Sequence, residues 1–157
     1  MIDAHARIER ARHLSASPDH AWAFLEDVLR WGPLFPHVEA VEPYPAAGPT
    51  AFRWELEPLG PPGRKVRTVY ACRYAADADA RVLTWTPVEG VGTARFEGRC
   101  ALAPAADGGT DGTLEMEATL EIPAPGFLRP VLAPLVHVEM ARMVDTFLER
   151  LDDALGL

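Results

Sequence analysis

At 157 residues, 48% of them hydrophobic, the chain is long enough to bury a core without help from disulfides or structural metals. Its formal net charge of −8, with basic residues scattered singly, argues against nucleic acid or an anionic membrane surface as a partner. The N-terminus lacks a basic start followed by a long apolar run, and no stretch approaches the roughly 18 apolar residues of a spanning helix, so a soluble, cytoplasmic protein with no integral membrane segment is expected.

His5 to Leu14 reads as a first strand with imperfect alternation, because Ile8 and Leu14 share their parity with Arg10 and Arg12. Two explanations stand open. One is an edge strand containing a bulge; the other turns an arginine inward to meet an anionic ligand group. Ser17, Pro18 and Asp19 then supply an N-cap hydroxyl, a first-turn proline and an acid near the positive end of a helix dipole. The helix that starts there has an apolar side at Trp22, Leu25, Val28 and Leu29. Trp31-Gly32-Pro33 should interrupt it, and Pro36 should end a second short turn. This pair is expected to close one end of a sheet.

Val38 to Tyr44 resumes strand character, and Pro45 to Pro49 supplies a turn. Phe52, Trp54 and Leu56 then alternate with Arg53, Glu55 and Glu57 until Gly60-Pro61-Pro62-Gly63 reverses the chain. Val66, Thr68, Tyr70, Cys72 and Tyr74 form the next inward set. After the Asp77-Ala78-Asp79 turn, Leu83 and Trp85 oppose Thr84 and Thr86. Beyond Glu89 to Gly92, Ala94, Phe96, Gly98, Cys100 and Leu102 alternate with Arg95, Glu97 and Arg99. A polar turn at Asp107 to Gly112 leads to the last strand, where Leu114, Met116, Ala118, Leu120 and Ile122 oppose Glu115, Glu117 and Glu121.

Phe127 to Leu155 reads as one long amphipathic helix. Leu132, Leu135, Val136, Met140, Met143, Val144, Phe147, Leu151 and Leu155 recur at spacings of three and four, with Arg142, Asp145, Glu149 and Asp152 on the other side. Pro134 should kink it or set off a short separate turn. Such a stripe must be buried, and the one-sided strands before it offer the complementary face. The expected fold class is α+β: a seven-stranded antiparallel sheet curled around a long C-terminal helix, with two short helices between strands 1 and 2.

Three stretches carry a resemblance to a known family. Leu14 to Asp27, LSASPDHAWAFLED, is similar to the entry into the first helix of the helix-grip domains. Leu34 to Val38, LFPHV, fits the second helix leading into strand two, and Met143 to Phe147, MVDTF, resembles the closing helix of the cyclase and coenzyme-Q-binding branch. The chain thus resembles the START-like, or SRPBCC, superfamily, which includes polyketide cyclases and dehydrases, lipid-transfer domains and pollen-allergen proteins. These motifs are made of apolar spacing and helix caps, so they mark a fold more sharply than a ligand. The resemblance implies one START-like ligand-binding domain over residues 1–157, with a cavity between sheet and helix that takes an apolar small molecule.

The inward strand positions carry no carboxylate, whereas acid/base catalysis needs titratable groups within reach of a reacting atom. They do offer the apolar lining with a few hydroxyls typical of ligand pockets. The candidate ligand-binding residues are Trp54, Thr68, Tyr70, Cys72, Tyr74, Trp85, Phe96, Cys100 and Met116 from the sheet, with Leu132, Val136, His137 and Met140 from the last helix. The aromatic members equally suit an ordinary core, and Cys72 and Cys100 read as small buried hydrophobes. His137 and Glu139 flank the helical stripe; His137 could serve as a base or hold a head group, or stand half-exposed at a helix edge.

The remaining histidines show no zinc-ligand spacing, no Gly-rich phosphate loop joins a strand to a helix, and Ser15 and Ser17 belong to a helix cap. No metal and no cofactor are expected. The first functional reading is binding or transport of a hydrophobic small molecule: a lipid, polyketide or quinone. The alternative is an enzyme of the polyketide cyclase, aromatase or dehydratase kind, in which His137, Tyr70 or Tyr74 orients the substrate. A third possibility is an accessory protein that meets a protein partner through an exposed patch around Trp31 to Phe35. Oligomeric state leaves no mark on the sequence.

Overall fold

The structure, a computed structural model, describes residues 1–58, 62–63 and 65–156. The reversal expected at Gly60-Pro61-Pro62-Gly63 therefore falls partly on Gly60 and Pro61, which lie outside the described residues. Strand β1, Ile2–Leu14, is followed by two short helices, α1 at Pro18–Leu25 and α2 at Val28–Trp31, and by a 3₁₀ turn at Gly32–Leu34. Then come β2 at Val38–Pro43, β3 at Ala51–Leu56, β4 at Val69–Asp77, β5 at Val82–Pro87, β6 at Ala94–Pro104 and β7 at Thr110–Ile122. The chain ends in α3, Arg129–Leu155, preceded by a 3₁₀ turn at Gly126–Leu128. All neighbours in the sheet are antiparallel, in the order β1-β7-β6-β5-β4-β3-β2, which is the expected helix-grip arrangement.

Alternation sets which face of each strand is buried. In β7, Thr110, Gly112, Leu114, Met116 and Ala118 point inward and the residues between them face out; β6 repeats the pattern from Ala94 to Leu102. The inward parities expected for β3 to β7 all hold, with Phe52, Val66, Gly98, Leu120 and Ile122 half-buried rather than fully enclosed. Gly98 is the one inward position of β6 without a side chain. Its register partner Trp85 lays its indole over the vacated space, where a Cβ would collide with the ring and with the Glu115 carbonyl.

Strand β1 corrects the sequence reading. It lies at a sheet edge, but its register against β7 runs without a shift from Ile2↔Ile122 to Leu14↔Thr110, so there is no bulge. Arg10 and Arg12 do share the inner parity. They meet α3 instead of a ligand: Arg10 Nε donates to Asp145 Oδ1 at 2.7 Å, and Arg12 lies 3.4 Å from Asp152. The acids that satisfy them stand more than a hundred residues away, which local alternation cannot reveal.

The first helix also ends earlier than expected. It stops at Leu25, and Asp27 caps a fresh start by accepting from the Leu29 amide at 3.1 Å, so the break precedes Trp31-Gly32-Pro33. Ser17 caps α1 as anticipated, accepting from His20 N at 3.3 Å. Leu29 is exposed, while Trp22, Leu25 and Val28 are buried.

Of the kink or separate turn expected at Pro134, the separate turn does not form: α3 continues through Pro134 as one helix. Its burial is lopsided. Met140, Met143, Val144, Phe147, Leu148, Leu151 and Leu155 are buried, whereas Leu132 and Val136 are only half-buried and Leu135 is exposed. Among the described residues, no helix is long and apolar enough to cross a membrane.

Candidate functional site

Between the inner face of the sheet, the buried half of α3 and the short helices lies a small cavity of about 40 Å³. Strands β3 and β4 contribute Trp54, Leu56, Tyr70, Cys72 and Tyr74 to its wall; β5 to β7 contribute Leu83, Trp85, Phe96, Cys100, Leu114 and Met116. Helix α3 supplies Met140, Met143 and Phe147, and the segment from α1 to β2 closes the end with Leu25, Trp31, Phe35 and Val38. No charged side chain belongs to this lining. Its size exceeds the roughly 10–15 Å³ that one water needs and falls well short of a drug-sized ligand site.

Nine of the expected ligand-binding residues meet here: Trp54, Tyr70, Cys72, Tyr74, Trp85, Phe96, Cys100, Met116 and Met140. Four do not. Thr68 is buried beyond the cavity at the entrance to β4, Leu132 and Val136 are half-buried before α3 reaches the wall, and His137 is exposed to solvent. Position along the helix axis explains the last. Met140 and Met143 face the sheet, and His137, three residues before Met140, lies in the turns that the sheet does not cover. Glu139 pairs with Arg142 at 2.7 Å, again outside the cavity.

Nine further residues line the cavity: Leu56, Leu83, Leu114, Met143 and Phe147, which the sequence reading put on buried faces without counting them as candidates, and Trp31 and Phe35, with Leu25 and Val38 beside them, from a segment it did not connect with the cavity. In place of the exposed patch expected around Trp31 to Phe35, Trp31 is 5% exposed and Phe35 stacks on Phe147 with ring centroids 4.1 Å apart. Trp31 is the hub of an aromatic cluster, 5.6 Å from Trp54, 5.8 Å from Tyr74 and 5.9 Å from Phe147. Its indole Nε1 donates to the Leu25 carbonyl at 2.9 Å, which ties the end of α1 to the end of α2. The density of aromatic residues between Trp22 and Phe35 is the available signal, since rings of this size are seldom left unpacked.

The polar atoms of the wall are few. Cys72 Sγ donates to the Phe96 carbonyl at 3.3 Å, and burial pushes both the Cys72 and Cys100 thiols up to about 12. Burial likewise raises the Tyr70 and Tyr74 hydroxyls well above their ordinary range. All four are therefore neutral near pH 7, fit to donate or accept a hydrogen bond and unfit as bases or thiolate nucleophiles. The Trp54 indole N–H lies close enough to Tyr74 to favour its ionised form slightly, yet makes no hydrogen bond with any described residue. A buried donor left in that state costs on the order of 1–3 kcal/mol.

A titratable cluster away from the cavity lies on the outer face of β1. His13 sits between Asp111, with Nδ1 3.1 Å from Oδ1, and Asp107, with Nε2 2.9 Å from Oδ2; the Asp111 hydrogen bond is the main cause of its raised pKa. Among the described residues no group of three or more His, Cys, Asp or Glu side chains is arranged to hold a metal ion.

Comparison with known proteins agrees with this geometry. A family model described as "Polyketide cyclase / dehydrase and lipid transport" matches residues 5–156. Among solved structures, a protein from Thermus thermophilus is 24% identical over 96% of each chain, with a TM-score of 0.67. A START superfamily protein from Mycobacterium smegmatis is 14% identical, covering 96% of this chain and 99% of its own, at a TM-score of 0.65. The Zhui aromatase/cyclase from a Streptomyces species is 20% identical, covering 97% and 92%, at 0.60. These identities establish a shared fold. No curated protein matches the chain.

Proposed function

The chain belongs to the polyketide cyclase/dehydrase and lipid transport family, and from that premise we propose that it binds or carries a hydrophobic small molecule, a lipid, polyketide or quinone, between the sheet and α3. The observation that carries this reading is the lining itself: aromatic, aliphatic and thioether side chains, four neutral hydroxyl or thiol groups, and no charge. Such a wall pays little to release water and cannot solvate an ion. The cavity of about 40 Å³ must widen to admit a ligand of that kind. Met116, Met140 and Met143 give it the means, because unbranched thioether side chains repack at low cost.

Binding is favoured over turnover for a specific reason. The cyclase-type alternative calls on His137, Tyr70 or Tyr74, and of these His137, which could have served as the base, lies on exposed helix surface away from the cavity that the two tyrosines line. Tyr70 and Tyr74 alone would orient a substrate without moving its protons. A single START-like unit over residues 1–157, working in the cytoplasm, completes the proposal.

The test is native mass spectrometry of freshly purified protein, followed by organic extraction and mass analysis of what is released. A co-purifying neutral hydrophobic molecule supports the reading and gives its class. Protein that is empty and also fails to take up any neutral apolar probe would end it.

A further inference from the structure

Trp54 carries a fully buried donor in the cavity wall that no described residue satisfies. The Trp31 indole and the Cys72 thiol each donate to a backbone carbonyl. Trp54 is 2% exposed, lines the cavity, and leaves Nε1 without a partner among the described residues. Trp22 Nε1 is unpartnered too, but Trp22 does not line the cavity.

The ring cannot turn to find an acceptor elsewhere. It stacks against Tyr70 at 5.8 Å and 6°, meets Phe35 edge-on at 6.4 Å and 88°, and backs onto Gly32, where even a Cβ would stand only 3.0 Å from Trp54 Cη2. Burial of a fixed donor is tolerated when something else satisfies it. The nearest polar group of the wall is the Tyr74 hydroxyl, close to Trp54 Nε1 but not hydrogen-bonded to it, so an oxygen entering the cavity can accept from the indole and meet that hydroxyl as well.

We propose that Trp54 Nε1 is the anchoring donor for an uncharged oxygen acceptor, of the ketone or quinone-carbonyl type, on a flat neutral ligand. A flat ligand suits this wall because Trp54, Tyr70 and Phe96, which now stack on one another, can take an aromatic guest against the same rings once the cavity has widened. Neutrality follows from a lining without any charged side chain to meet an ion. The inference rests on the cavity-binding reading above and sharpens it to one atom.

A matched set of probes separates the two. 9-Fluorenone and fluorene share a ring system and differ by a carbonyl, while fluorene-9-carboxylate adds a charge. Calorimetric titration of the wild-type protein should show fluorenone binding about tenfold more tightly than fluorene, with the carboxylate weakest. In Trp54→Phe the two neutral probes should bind alike. Fluorenone, and not fluorene, should also shift the Trp54 indole N–H resonance of the wild-type protein downfield, a readout that survives even if Trp54→Phe fails to fold. Equal wild-type affinities with an unmoved resonance would overturn the anchor while leaving cavity binding intact. A fluorenone preference that persists in folded Trp54→Phe would place the donor elsewhere and overturn it too. Tightest binding of the carboxylate would refute neutrality, and failure of all three probes would overturn the anchor for a flat ligand, the cavity reading itself falling only if the protein is also empty when purified.

Discussion

From Met140 to Leu155, α3 buries seven apolar side chains, whereas before Met140 the same helix leaves Val131, Leu135 and Val138 exposed by 60, 54 and 48%. Both halves carry apolar residues at helical spacing. The difference lies in what faces them. The second half lies along β1 and the cavity, stacks Phe147 on Phe35, and is tied down by Arg10–Asp145, Arg12–Asp152 and the bond from Arg150 to the Leu34 carbonyl at 3.2 Å. The first half has the half-buried Val136 packed against the core and, near its end, the pair within the helix between Glu139 and Arg142. Periodicity names the residues that share a face; the sheet decides how much of that face is covered.

The sharpest way to break this comparison is Phe147→Ala. Phe147 is 2% exposed, so its removal should lower unfolding stability by about 3–5 kcal/mol in urea titration. A loss below about 1 kcal/mol would mean that the second half is not the anchored one. A middling effect is expected from Asp145→Asn, which removes the charge from a pair whose side chains are 36% and 55% exposed. Solvent screening limits that loss to at most about 1 kcal/mol, fading further in high salt. The smallest change belongs to Leu135→Ser, which should stay within about 0.5 kcal/mol by the same titration. A clearly larger loss would show that this half is covered in solution.

Much of the fold was legible because alternation is a local property. The inward set of β3 to β7 could be read from Trp54 and Met116 between charged neighbours, from Trp85 between threonines, and from Tyr70 and Cys100 at the same parity as the other large side chains of their strands, and these residues do meet in the wall. What escaped depends on distant partners. Arg10 and Arg12 looked irregular because Asp145 and Asp152, which pair with them, arrive only with the last helix. Trp31 and Phe35 looked like surface because nothing in their own segment shows Phe147 and Trp54 closing over them. His137 owes its place among the candidates to its position at the flank of the stripe, and the flank proved to lie beyond the covered part. The break at Asp27 was readable in principle: an acid placed to cap the next turn is a local signal, and Val28 and Leu29 masked it by continuing the apolar pattern.

The Gly98–Trp85 contact carries a consequence for how this protein can vary. With no Cβ on β6 at that point, the indole rests directly on backbone, and the wall there is already as deep as the strand allows. Substitution at position 98 can only take volume away, by lifting Trp85 toward the cavity. Exchange of Trp85 for a smaller residue can only add it. Descendants of this chain, natural or engineered, that come to accept larger guests would therefore change at 85 and keep glycine at 98, an asymmetry that a set of homologous sequences would record.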